Sequence, residues 1–165
     1  MKASVIGIDA DRQRIAVVGI VGGQKTRYTI DRLNGRGAMN DGYCKALGYL
    51  MERAVKGKAA IFLEGIFLAN PNSNRRDVDT FRVLANVQGE IIYEANRHGV
   101  PVQLVPPAEW QKRVLGFARN REMLKEASRQ EARKLMGDGL TEHESDAACI
   151  CLYGQWVMAN EKGVV

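Results

Sequence analysis

Apolar residues come in short unbroken runs in the first third of the chain and at helical spacing after it, with polar or glycine-containing breaks between. Val5, Ile6 and Ile8 form the first run, and β-branched side chains bounded by polar residues predict a buried strand. Residues 15–21 predict a second strand, Gly22-Gly23 a hairpin turn, and the alternating residues 25–30 a third strand with one wet face. Three consecutive antiparallel strands therefore open the fold. After a loop over 31–39, Leu47, Leu50, Met51 and Val55 recur at helical spacing within 40–55, and Gly57-Lys58 closes that helix. Residues 59–63 predict a fourth strand, which ends on Glu64.

Beyond a polar loop at 70–76, Phe81, Leu84, Val87, Ile91 and Ala95 mark a long helix from 77 or 78 to 98. Gly99 is its expected C-terminal cap, and His98 a cation at its end. Gly89 inside this helix costs about 1 kcal/mol relative to Ala; a close approach to the core is its expected reason, and a contact between subunits the alternative. Residues 101–105 predict a fifth strand ended by Pro106-Pro107, followed by a short helix at 108–115 and a loop at 116–120. A helix at 122–136, a break at Gly137-Asp138-Gly139 and a final helix at 142–159 complete the chain. No repeat, low-complexity tract or linker interrupts this order, so residues 1–165 are expected to form a single mixed α/β layered domain.

Charge sharpens that picture. Lys and Arg number 24 against 19 Asp and Glu, a net charge of +5 that favours a polyanionic partner. Cys44, Cys149 and Cys151 are odd in number and lack CxxC spacing, so neither a disulfide framework nor a zinc ribbon is indicated, and free thiols in a reducing cytosol are expected. No stretch approaches the ~18 apolar residues of a membrane span, and the N-terminus lacks a signal-peptide pattern. A cytoplasmic protein with no membrane partner is expected.

The candidate chemistry lies at strand ends. Asp9 follows the last apolar residue of the first strand, and Glu64 that of the fourth. Far downstream, Thr141-x-x-Glu144 fits a capping box, which gives Glu144 a structural role, with metal binding as the alternative. His143 and Asp146 then share a helix face, above Ala147 and Ile150, which would pack on the sheet. Asp9, Glu64, His143 and Asp146 together offer the oxygen-rich set that Mg²⁺ or Mn²⁺ accepts. Phosphodiester hydrolysis needs a nucleophilic water and relief of charge on the leaving oxygen, and two ions about 4 Å apart supply both. Without metal these carboxylates repel and raise one another's pKa, a cost that points to function.

Ile6-Gly7-Ile8-Asp9, Leu63-Glu64-Gly65-Ile66-Phe67, Val105-Pro106-Pro107 before Lys112, and His143-x-x-Asp146-Ala147 resemble the RuvC family of Holliday junction resolvases, in the RNase H-like superfamily. The likeness runs along nearly the whole chain and implies a five-stranded mixed sheet flanked by helices, a homodimer, and Mg²⁺-dependent nicking of four-way DNA junctions. It makes Asp9, Glu64 and Asp146 the metal carboxylates; His143 matches a position where members carry histidine or aspartate. Phe67 falls where a family aromatic stacks on unpaired bases, a contact worth about 1–3 kcal/mol, or it merely continues the apolar strand end. Lys112 aligns with a basic residue near the scissile phosphate. Arg113, Arg119 and Arg121 beside it suit backbone contact, and Arg75 and Arg76 either touch phosphate or stay solvated. The loops at 35–42 and 70–74 match loosely and the chain stops soon after its last helix, as in a compact or phage-type member of a bacterial or phage-infected cell. A helicase partner and a cleavage-sequence preference are left open. The alternatives are another RNase H-like nuclease, acting on branched DNA, RNA–DNA hybrid or structured RNA, and a non-catalytic module that binds branched nucleic acid. Nucleotide-binding ATPases with a related sheet are disfavoured, because Asp9-Ala10-Asp11-Arg12 offers no glycine-rich phosphate turn.

Overall fold

In the computed structural model, which describes residues 3–34, 38–66, 75–116 and 120–161 without the side chains of 75–77 and 161, the apolar runs become a five-stranded sheet. Its strands are β1 (Val5–Ala10), β2 (Arg14–Val21), β3 (Gln24–Asp31), β4 (Ala60–Glu64) and β5 (Val102–Val105), in the order β3-β2-β1-β4-β5. β1, β2 and β3 pair antiparallel as expected, whereas β4 joins β1 and β5 joins β4 in parallel. Gly22 and Gly23 both take positive φ, 58° and 82°, which the two-residue turn between β2 and β3 requires.

The two-residue period of a strand sorts its side chains between two cores. Ile6, Ile8, Ile61 and Leu63 point to α1 (Tyr43–Gly57) and α2 (Arg75–Arg97), where they meet Leu47, Leu50, Met51, Val87, Ile91 and Ala95. Val5 and Phe62 point the other way, to Trp110, Ala132, Ala147, Ile150 and Cys151. That second layer comprises α3 (Pro107–Trp110), a π-helical turn at Gln111–Leu115, α4 (Arg121–Met136) and α5 (Glu142–Glu161). Arg32 grips Glu90 through Nε (2.9 Å) and Nη2 (2.8 Å), and the Tyr43 hydroxyl donates to the same carboxylate at 2.8 Å. This ties the exit of β3 to both helices of the first layer. Among the described residues, no helix is long and apolar enough to cross a membrane.

Four expectations change. α1 starts at Tyr43 rather than near residue 40, because Asn40 folds a local turn: its side chain accepts from the Gly42 N–H (3.0 Å) and its carbonyl from that of Tyr43 (2.9 Å). α2 begins at Arg75, so 75–76 are helical and not loop. Gly89 does not serve the core: it is exposed, and a Cβ built there meets nothing within 4 Å. The single helix expected over 108–115 is an α-helical turn that widens into a π turn, a form that recurs at functional sites. The widening leaves Trp110 buried while Val114 and Leu115 still pack on the α5 layer.

Candidate active site

Strand register brings the first two acids together. Ile8 pairs with Leu63, so Asp9 and Glu64 stand one residue further on adjacent parallel strands, about 4.8 Å apart in the pairing direction. Both share the sheet face of Val5 and Phe62, beneath α5. Glu64 in turn pairs with Val105, after which Pro106 and Pro107 turn the chain into α3. Trp110 is thereby packed beside β4, 2% exposed, and its indole Nε1–H donates to Glu64 Oε1 at 2.9 Å.

The other acids arrive on α5. The capping box forms as expected: the Thr141 N–H donates to Glu144 Oε2 (2.8 Å) and the Glu144 N–H to Thr141 Oγ1 (3.2 Å). With the helix started there, His143 and Asp146 face the sheet. His143 Nδ1 lies 2.6 Å from Asp9 Oδ2, and its Nε2 lies 3.2 Å from Asp11 Oδ2. The Ser128 hydroxyl of α4, 2% exposed, donates to Asp146 Oδ1 at 2.6 Å and also meets Cys149 Sγ at 3.6 Å. Burial, the Val5 carbonyl and Ser128 leave Cys149 and Cys151 as inert core thiols, each pushed up to about 12 chiefly by burial, while Cys44 is exposed.

The electrostatics follow from this packing. Burial first, and then the negative charge of Asp9, lift the Glu64 carboxyl to about 7 against the pull of the Trp110 indole. Asp146 rises to about 6, through burial and the charge of Asp9, against the pull of Ser128. His143 rises to about 9, through its hydrogen bond to Asp9 and despite partial burial. It is therefore an imidazolium at neutral pH, donating from both ring nitrogens. Its positive charge stands where the acids need a cation most.

Among the described residues, no three His, Cys, Asp or Glu side chains are arranged to hold a metal ion. Each carboxylate is instead engaged by a protein donor: Asp9 by His143, Glu64 by Trp110 and Asp146 by Ser128. The donor chemistry nevertheless fits a hard divalent cation, since the three acids stand on separate elements, the charge of Asp9 raises the proton affinity of both Glu64 and Asp146, and all three offer oxygen alone. His143 could join them as a ligand only by losing a proton from one ring nitrogen and releasing the carboxylate held there, Asp9 at Nδ1 or Asp11 at Nε2.

The other candidates scatter. Lys112 and Arg113 are exposed and line a cleft with Glu109, Tyr153 and Trp156 on the same side of the sheet. Arg121 is exposed at the start of α4. Phe67 and Arg119 lie outside the described residues, as do the side chains of Arg75 and Arg76. Three supporting residues escaped the sequence reading: Asp11, Trp110 and Ser128. Asp11 had a signal in its position, a second carboxylate in the turn two residues past Asp9. Ser128 had one too, lying four residues before Ala132 on the buried stripe of its helix, where a hydroxyl needs a partner.

Two results are expected from this geometry. In chelator, the melting temperature should fall as pH rises from about 4 to about 9. Glu64 and Asp146 keep their protons to about 7 and 6 when folded but lose them near 4.5 and 3.8 when unfolded, so their contribution is whole below the lower values and lost through the upper ones. His143 adds stability that is complete below 6.5 and lost through about 9. Glu64→Gln should flatten the first part of that slope; an unchanged slope would contradict the assignment. Separately, Trp110→Phe removes a hydrogen bond to an ionised group, worth about 1.5–3 kcal/mol. Urea melts should show a loss of that order at pH 8 and a smaller one at pH 5, where Glu64 is protonated.

The strand order and flanking helices define an RNase H-like fold with a carboxylate cluster at the ends of its central strands. Solved structures of RuvC from Thermus thermophilus share it. One superposes with a TM-score of 0.59 at 18% identity, covering 95% of this chain and 96% of that one. Another, T. thermophilus RuvC in complex with Holliday junction substrate, gives a TM-score of 0.69 at 16% identity and covers 99% and 98%. No protein-family model matches the sequence, and no curated protein does.

Proposed function

We propose that this chain is a RuvC-type junction resolvase: a single-domain, homodimeric, Mg²⁺-dependent DNA endonuclease that cuts four-way junctions by paired symmetric nicks. The observation that carries this reading is the convergence of Asp9, Glu64 and Asp146 from β1, β4 and α5, in a chain with the fold of a protein solved on a Holliday junction. Asp9, Glu64 and Asp146 would hold Mg²⁺ or Mn²⁺, with His143 beside them. Divalent ions bound there supply an activated water and stabilise the leaving oxygen, leaving 5′-phosphate and 3′-hydroxyl ends.

The chain's own residues do the rest. Trp110 and Ser128 fix the orientation of Glu64 and Asp146, and His143 holds Asp9 in place before substrate binds. Lys112, Arg113, Arg121, Arg119, Arg75 and Arg76 supply cationic contacts to the DNA backbone, and Phe67 stacks on bases freed at the junction centre. A two-fold dimer presents two such sites symmetrically, as opposite cuts require.

The test is cleavage of a synthetic four-way junction with Mg²⁺, beside linear duplex and RNA–DNA hybrid. Paired nicks on the junction alone are expected. Preferential cutting of the hybrid would keep the active site and move the substrate, and no cutting with tight junction binding would leave a binding module.

A further inference from the structure

The cleft between the segment Glu109–Arg113 and the last turns of α5, about 310 Å³ in volume, pairs two cations with two aromatic rings. Glu109 and Arg113 stand four residues apart, a spacing suited to an ion pair on a helix. They do not form one. Glu109 Oε2 accepts from the Tyr153 hydroxyl at 3.1 Å, and the Arg113 guanidinium lies over the Trp156 ring, 4.0 Å from its centroid. Among the described residues, neither the Lys112 ammonium nor the Arg113 guanidinium has a hydrogen bond or an ion pair. Trp156 itself is 39% exposed, although a large ring on a packed helix could have turned inward. Stacking on the ring leaves the N–H edge of the guanidinium free and restricts where it can point.

The cleft is also placed to meet a bound strand. Trp110, whose indole holds Glu64, is followed within one turn by Lys112 and Arg113. Trp156 lies ten residues beyond Asp146 on α5, about 15 Å along the helix. Both walls thus lead away from the carboxylates on one face of the sheet.

We propose that this cleft seats a backbone phosphate of bound DNA, with Arg113 and Lys112 as its donors and Trp156 as the positioning residue that holds Arg113. The identity of the polyanion rests on the nuclease reading; the seat itself does not need the junction to be the substrate. Bidentate donation from a stacked guanidinium suits a phosphate better than a lysine alone would. Glu109 is kept from that phosphate's donors by its bond to Tyr153.

The test uses the full chain carrying Asp9→Asn, so that nothing is cut, and measures anisotropy of labelled four-way junction and linear duplex over a range of salt. Arg113→Gln and Trp156→Leu should each weaken binding about three- to tenfold, and Arg113→Gln should lower the salt slope by about one. The double variant should bind no worse than Arg113→Gln alone, because Trp156 acts through Arg113. Trp156→Tyr, which keeps a π face, should restore most of the loss. Unchanged affinity in Arg113→Gln, an exposed position whose folding is not at risk, would overturn the proposal, as would strictly additive losses. Equal losses on junction and duplex would support the seat while counting against a junction-specific enzyme. A parent protein that binds neither DNA would overturn both.

Discussion

Asp9→Asn, Glu64→Gln and Asp146→Asn are each expected to lower strand cutting by at least about a thousandfold and to leave junction binding intact or slightly tighter. The binding sign follows from charge: each change removes one negative group from a surface that must approach phosphate. Stability should separate the three. Gln at 64 still accepts from the Trp110 indole, and Asn at 146 still accepts from Ser128, so both variants relieve repulsion without orphaning a donor. Their metal-free melting temperatures at pH 8 should rise. Asn at 9 weakens the bond to His143, and there the gain from relieved repulsion is offset by the lost ion pair. Single-turnover cleavage, anisotropy and thermal melts in chelator check the set. Loss of binding together with cutting in all three would make the cluster structural.

That pattern of partners explains what the sequence made legible. Runs such as Val5-Ile6-Gly7-Ile8 and Ile61-Phe62-Leu63 announce buried strands because a continuous β-branched or apolar run has few other ways to fold, and the carboxylates at their ends are conspicuous for the same reason. The capping box set the phase of α5, and with it the shared face of His143 and Asp146. The partners of those acids were harder to see. Trp110 reaches Glu64 only through the parallel pairing of β4 with β5 and the proline turn after it, and Ser128 reaches Asp146 only through the packing of α4 on α5. Neither relation is local. His143 was legible as a neighbour of metal, yet its link to Asp11 as well as Asp9 gives it the work of an internal cation in this structure. Gly89 was misjudged because a glycine in a helix reads alike whether it faces a neighbour or solvent.

Gly7→Ala should be the most damaging change outside the acids. α5 lies so close on β1 that a Cβ at position 7 would sit inside contact distance of the Ala147 carbonyl oxygen and the Cys151 amide nitrogen, and 2.9 Å from Cys151 Cα. These are backbone atoms in the middle of a helix, so no side chain can swing aside, and the helix must lift. Overpacking of this kind costs about 1–3 kcal/mol, and a loss near the upper end corresponds to a fall of roughly 6–12 °C in melting temperature for a chain of this size. The functional loss should exceed the thermal one. Asp146 adjoins Ala147, and His143 is one turn before it, so lifting α5 at Ala147 withdraws both from Asp9 and Glu64. A displacement of about 1 Å at reacting groups is enough for about a hundredfold in rate. Cutting should therefore fall by about that factor at temperatures where circular dichroism shows the variant folded. Gly48→Ala is the control: a Cβ there meets nothing within 4 Å in the interior of α1, and the change should stabilise by up to about 1 kcal/mol with no effect on cutting. Were Gly7→Ala to melt and cut like the parent, the close seating of α5 would not be what holds the site together.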